Sequence, residues 1–410
     1  MLNLSTITGS YISNAAVAQH PRTSARESQT PNKSSTTTPP LRDHREGTCP
    51  HGRRSGAPVL RCADPERELM GYTENVLHEI RERIDAHPEP LAEARIRLAL
   101  VRSAAIRFPG ARRTYASGSL PQHTFVHPVG DGDGGLVLDR RVYPQLGPDG
   151  GGETPTKVTM ELCGLLGPAI RAQYPKARCG TSKRGPKVWF GAPVDDQDPT
   201  VDLVVALIRR DGSGLWIPNL KTNTWEASDP ERHVELFTSG TQSLCRTRRR
   251  VIRLLKGWNM QYSQPGFSSH NLSVWAWEFV GPGMGMATAL STVLAKAAAR
   301  VEAGQATPDP AKVSRPVKLL VLRSTAARRL RTATDALSEA VEHDDDCGAV
   351  LAALSRAFFN YIEDPAPSGL AGLVAPLRRQ VPITTTTLGL SGPAAIVRPT
   401  RAYGAPGNME

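Results

Sequence analysis

Asp131 and Asp133 stand two residues apart, with Gly132 between them. On an extended backbone that spacing turns both carboxylates to one face. Two like charges held side by side are unfavourable unless a cation lies between them or one keeps its proton. Magnesium suits such a pair, because it takes oxygen ligands, keeps several waters and also binds substrate phosphates. A glycine-rich turn with solvated aspartates is the competing reading. A calcium loop of the EF-hand type is excluded, since its twelfth position would be Val142 rather than Glu.

A third carboxylate, Asp202, interrupts the run VDLVVALI at 201–208. The run reads as a central strand, apolar on both faces. A lone carboxylate buried there would cost on the order of several kcal/mol, which a shared metal ion would remove. An exposed strand end would remove it equally well.

Gly118-Ser119 follows a strand-like stretch. Glycine lets the backbone approach a phosphate closely, and the serine hydroxyl with nearby N–H groups can donate to its oxygens. The same dipeptide is also ordinary loop chemistry. On an expected helix over 249–262, Val251, Leu254, Leu255, Trp258 and Tyr262 form an apolar stripe. Arg249, Arg253 and Lys256 fall on another face, which suits either a triphosphate tail or solvent. His123 and His127 read as loop histidines, so no separate general base is expected.

The elements that must position these residues follow from periodicity. A helical pattern runs over 64–107, with Asp64 as its N-cap and Pro88 and Pro90 dividing two helices. Strands are expected at 113–116, 136–140, 187–190, 201–208 and 215–218, with a helix at 158–174. After Pro230 the chain turns helical, with helices over 249–262, 272–280, 286–302, 319–341 and 350–362. This predicts an α/β lobe at 64–230 followed by a helical lobe at 231–380. Residues 1–63 and 381–410 lack periodicity and are expected as tails.

The 410 residues carry a formal net charge of +11. Much of the excess lies in residues 1–62, which hold 8 Lys/Arg against 3 Asp/Glu. What remains suits phosphate handling and does not demand nucleic acid. No apolar run is long enough for a membrane helix, and the first residues lack a basic start and apolar block, so a cytoplasmic protein is expected. The six cysteines include no Cys-x-x-Cys pair, which argues for reduced thiols rather than a zinc site at Cys49 and His51.

Taken in order, Gly118-Ser119, Thr124, Asp131-Gly132-Asp133, Asp202, LWIPN at 215–219, Trp225, Asp229-Pro230 and Lys256-Gly257-Trp258-Asn259 resemble the bacterial cGAS/DncV-like nucleotidyltransferases, within the polymerase-beta-like superfamily. The resemblance spans roughly residues 65–365. It implies an α+β, two-lobed polymerase-beta-like enzyme with a mixed sheet in the first lobe, a helical second lobe and a cleft between them. It further implies that Asp131, Asp133 and Asp202 hold two magnesium ions, with manganese as the alternative. Gly118 and Ser119 would contact the donor triphosphate and Lys256 its terminal phosphates, with Thr124 a positional marker. The family joins nucleoside triphosphates into cyclic or linear oligonucleotide signals that activate an effector protein in antiphage defence, under RNA or protein regulators in some cases.

Gly132 stands where the family usually has an apolar residue, and Gly134-Gly135 follow. This predicts a looser turn around the acidic pair and makes Asp131 the least secure of the three ligands. Two other readings stay open. The same site could modify RNA, a protein or a small molecule. Alternatively, a decayed site would leave a non-catalytic nucleotide- or RNA-binding module, to which the basic clusters at 246–256 and 315–331 would lend themselves. Trp225 and Asn219 are the candidates for base recognition.

Overall fold

The computed structural model describes residues 71–362. Among these, seven strands form one mixed sheet: β1 (Ala111–Ser117), β2 (Asp131–Leu138), β3 (Arg178–Thr181), β4 (Pro186–Trp189), β5 (Thr200–Ile208), β6 (Leu215–Asn219) and β7 (Thr224–Ser228). The order is β1-β2-β5-β4-β3, with β6 on β5 and β7 on β6. Only β2 and β5 pair in parallel; the other pairings are antiparallel.

Ten helices accompany the strands: α1 (Tyr72–Ile84), α2 (Pro88–Ala105), α3 (Ser119–Gln122), α4 (Thr156–Arg171), α5 (Pro230–Thr238), α6 (Gln242–Met260), α7 (Ser269–Phe279), α8 (Met286–Glu302), α9 (Arg323–Glu342) and α10 (Cys347–Ala357). Pro88 opens α2, where a missing N–H does no harm, so the expected division between the first two helices falls there. The expected Asp64 cap, the tails at 1–63 and 381–410, and Cys49 with His51 lie outside the described residues.

Side-chain alternation gives the sheet two unlike faces. Leu136 and Leu138 of β2, with Val201, Leu203, Val205 and Leu207 of β5, pack under α2 and α4 with Leu98, Val101, Leu162 and Leu166. The opposite face buries only a small group, Tyr115, Val137, Ala206 and Leu215. Asp131, Asp133 and Asp202 continue the rows of this second face.

A separate core joins the helices that follow the sheet. Trp258 of α6, Trp275 of α7 and the apolar stripes of α8, α9 and α10 meet in it. α1 lends Val76, Leu77, Ile80 and Ile84 to the same core, although it precedes the sheet in the chain. The mixed sheet beside a helical core is the two-lobed α+β architecture expected. Cys163, Cys179 and Cys245 are free thiols, whereas Cys347 is disulfide-bonded, against the expectation of reduced thiols throughout.

Candidate active site

Strand β2 begins at Asp131 itself, five residues earlier than the expected strand. The acidic pair therefore lies on regular extended backbone, and the looser turn predicted from Gly132 is not there. Gly132 faces the helices. A Cβ built on it would lie 3.2 Å from Leu120 Cδ1 and 3.4 Å from Leu98 Cβ, so these two leucines fill the space an apolar side chain would take. Gly135 has a different cause: the ring of Tyr115 lies across it, and an added Cβ would come within 2.0 Å of that ring.

The parallel register sets Asp133 beside Asp202 and Asp131 beside Thr200. Residues in register on neighbouring strands share a face about 4.8 Å apart. All three carboxylates thus occupy one side of the sheet, at the end where β2 and β5 begin. The two strand entrances are braced together. Val129 N donates to Gln197 Oε1 at 2.6 Å and Thr200 N to Gly130 O at 3.0 Å. Buried Arg97 of α2 donates to Asp198 Oδ1 and to Pro199 O, holding the approach to β5 against the first core.

Asp202 is half-buried rather than sealed in a two-sided strand. Its Oδ2 accepts from Lys187 Nζ of β4 at 2.7 Å, an ion pair that no sequence motif announces. Lys187 is in register with Asp202 across the antiparallel β4–β5 pairing. Among the described residues, neither the Asp131 nor the Asp133 carboxylate has a hydrogen bond or ion pair. Burial, then Asp131 and Asp202, push the Asp133 carboxyl well above the usual carboxylate range. Burial, then Asp202, raise Asp131 as well, while Lys187 and Lys256 pull it back.

Gly118 precedes α3 with φ 69° and ψ −151°, a conformation open essentially to glycine alone. A Cβ there would lie 2.1 Å from Asp133 Oδ2. The Gly-Ser turn is therefore pressed against the acidic strand. Ser119 Oγ accepts from Lys256 Nζ at 2.7 Å, and the Thr124 carbonyl accepts from the same ammonium at 2.8 Å. Lys256 belongs to α6, so this contact links the helical core to the turn. The Lys256 residue is only 5% exposed and is not on a solvated basic face. Burial lowers its pKa to about 8, against the pull of Asp133 and Asp131. Thr124 thus meets Lys256 chiefly through its backbone carbonyl, its Oγ1 lying 3.4 Å from the ammonium.

Of the other expected members of the basic face, Arg253 goes elsewhere. Arg253 pairs with Asp85 at 3.0 Å and donates to the His123 carbonyl. His127 stacks on His87. Trp225 donates through Nε1 to Glu153 O at 3.0 Å and packs against the first core. Asn219 is buried, its Oδ1 accepting from Lys221 N.

The all-carboxylate donor set at Asp131, Asp133 and Asp202 fits a hard cation such as magnesium. The three are not drawn together within 4.8 Å, and Asp202 pairs with Lys187. Among the described residues, three ligand atoms lie within 4.8 Å of one another only at His233, His270 and Asp309.

Solved structures with the same arrangement of elements include the CD-NTase CdnG of Bradyrhizobium diazoefficiens in complex with GTP. It aligns with a TM-score of 0.53 at 16% identity, covering 70% of this chain and 96% of that one. The chain has the fold of the bacterial cGAS/DncV-like nucleotidyltransferases. CdnC of E. coli MS115-1 in complex with HORMA-deltaN gives a TM-score of 0.54 at 14% identity, over 73% of this chain and all of that one. CdnC with ATP gives 0.51 at 14%, over 72% of this chain. No protein-family model and no curated protein matches the sequence.

Proposed function

We propose that this protein is a nucleotidyltransferase of the CD-NTase kind, joining nucleoside triphosphates into a cyclic or linear oligonucleotide messenger. The observation that carries this reading is the in-register pairing of Asp133 with Asp202 on parallel strands, with Asp131 on the same face and the Gly118 turn against it.

Asp131, Asp133 and Asp202 would hold two magnesium or manganese ions. Bound there, such ions would supply charge to lower the pKa of a ribose hydroxyl and to offset that of departing pyrophosphate. The work of the chain itself is positioning and electrostatics. Gly118, lacking a side chain, lets the triphosphate lie close to β2. Ser119 offers its hydroxyl and backbone N–H to phosphate oxygens. Lys256 holds Ser119 and Thr124 in place and brings a buried positive charge to the terminal phosphates. Lys187 offsets the Asp202 charge where no cation does. No side chain in the site is placed as a separate general base.

GTP and ATP are bound by the solved CdnG and CdnC, and the fold they share with this chain supports nucleoside triphosphates as substrates. CdnC was solved in complex with HORMA-deltaN, which favours a protein partner for this chain. A protein or RNA regulator, a downstream effector sensing the product, a role in antiphage defence and a cytoplasmic location complete the reading. Among the described residues no helix is long and apolar enough to cross a membrane. The nucleotidyltransferase lobe is assigned to 64–230 and the helical lobe to 231–380, with α1 of the first segment packed into the core of the second.

The test is mass spectrometry of products formed from all four nucleoside triphosphates with magnesium. Oligonucleotides, with cyclic species resistant to phosphatase, are expected. Label transferred to RNA, protein or a small molecule would instead assign another acceptor. Nucleotide or RNA binding without turnover would mark a non-catalytic module.

A further inference from the structure

A second cluster of chemistry-bearing side chains lies outside the carboxylate site. His233 comes from α5, His270 from the first turn of α7, and Asp309 from the connection between α8 and α9. One ligand atom from each lies within 4.8 Å of the others. His233 Nε2 and Asp309 Oδ1 are 2.5 Å apart. The two imidazoles face each other with centroids 4.6 Å apart.

We infer that His233, His270 and Asp309 form a separate site for a borderline transition-metal ion, zinc being the best fit. Two imidazole nitrogens and one carboxylate oxygen are the donors zinc takes when three protein ligands leave a coordination position to water. Magnesium, which prefers an all-oxygen shell, suits the first site and not this one.

Two observations favour a metal over a merely hydrogen-bonded group. Among the described residues the His270 ring has no hydrogen-bond partner, although it is packed between His233 and Phe237. Asp309 is held for the purpose by outer contacts: Oδ2 accepts from Val313 N at 3.0 Å and Ser314 N at 2.6 Å, and Oδ1 from Ala311 N at 3.2 Å. With three backbone donors holding it, the carboxylate keeps for an ion the Oδ1 lone pair turned to His233.

The placement gives the ion a structural task. α5 is tied to the sheet by Arg113 and Glu231 at 2.6 Å, while α7 sits in the helical core. The connection carrying Asp309 is anchored to α7 by Trp275 Nε1 on Thr307 Oγ1. Metal at this point would pin sheet, helical core and connection together. The inference stands whether or not the chain is a nucleotidyltransferase.

The full chain, stripped with chelator and kept reduced, is titrated with zinc by calorimetry and with cobalt by visible absorption. A single bound equivalent is expected, with tetrahedral cobalt bands and without the thiolate charge-transfer band that cysteine ligation would add. His270→Gln should weaken zinc binding at least about tenfold, the loss that even an outer partner can produce. It should also abolish the zinc-dependent rise in Tm. The double variant Asp133→Asn/Asp202→Asn should keep both. No zinc binding by the wild-type chain, or undiminished binding by His270→Gln with a native circular dichroism spectrum, overturns the inference. The titration of Asp133→Asn/Asp202→Asn, which lacks the carboxylate site, decides this even if His270→Gln fails to fold.

Discussion

Lys256 Nζ lies 2.7 Å from Ser119 Oγ, joining a helix of the second core to the turn that abuts Asp133. A buried cation placed between a serine hydroxyl and two carboxylates strengthens any interaction with an incoming phosphate, because little water screens it. Lys256→Met keeps most of the volume and removes the charge. Its kcat/KM should fall about 100-fold or more, with a raised KM for the nucleoside triphosphate. Steady-state pyrophosphate release reads this, and an unchanged KM would separate Lys256 from the phosphates.

Lys187 competes with a cation for Asp202, since its ammonium holds Oδ2 at 2.7 Å. The pair is partly exposed, so it contributes at most about 1 kcal/mol. Lys187→Met should lower the magnesium concentration for half-maximal activity by up to about fivefold. A magnesium titration of initial rates measures it. A raised requirement would mean that Lys187 chiefly orients the carboxylate.

Asp133 keeps its proton in the folded chain to a higher pH than in the unfolded chain, because burial and its two acidic neighbours disfavour charge. The unfolded state therefore releases its proton first as pH rises. Metal-free stability should fall from the ordinary carboxylate range up to about 8. Asp133→Asn, which cannot charge, should raise Tm at pH 8 without metal, by about 2–4 °C per kcal/mol recovered. The gain should vanish near pH 4. Thermal unfolding at the two pH values checks both signs.

The glycines of β2 separate cleanly. Gly135→Ala drives a Cβ into the Tyr115 ring and should cost about 1–3 kcal/mol or more, read by denaturant unfolding. Gly132→Ala meets chiefly side-chain atoms of Leu120 and Leu98 and should leave stability within about 1 kcal/mol. Gly118→Ala combines positive φ with a clash against Asp133 and should lose both stability and activity.

Much of this site is legible in the amino-acid sequence. The run at 201–208 reads as a strand because Val and Ile fill it, and Asp202 stands out as the one charge within it. The first half of β2 does not, because DGDGG contains no β-former; its strand character comes from pairing with β1 and β5. β3 and β7 escape a periodicity reading because they are short and hold few apolar residues. Lys187 carries no local sign of its role, since the partner lies fifteen residues on, across an antiparallel pairing. Lys256 reads as one of several basic residues on a helix face. Its burial follows from the turn that closes over it, which periodicity on α6 cannot reveal. The His233–His270–Asp309 cluster joins three distant segments and leaves no spacing motif at all.

The central claim is that Asp131, Asp133 and Asp202 act together on a nucleoside triphosphate through divalent ions. Pyrophosphate release by the full chain, with and without magnesium, compared with Asp202→Asn, tests it most directly. Release that requires magnesium and falls at least about 1,000-fold in the variant is predicted, as expected when a member of a cooperating catalytic set is lost. Equal release from wild type and Asp202→Asn, or none from wild type with any nucleoside triphosphate, would contradict it.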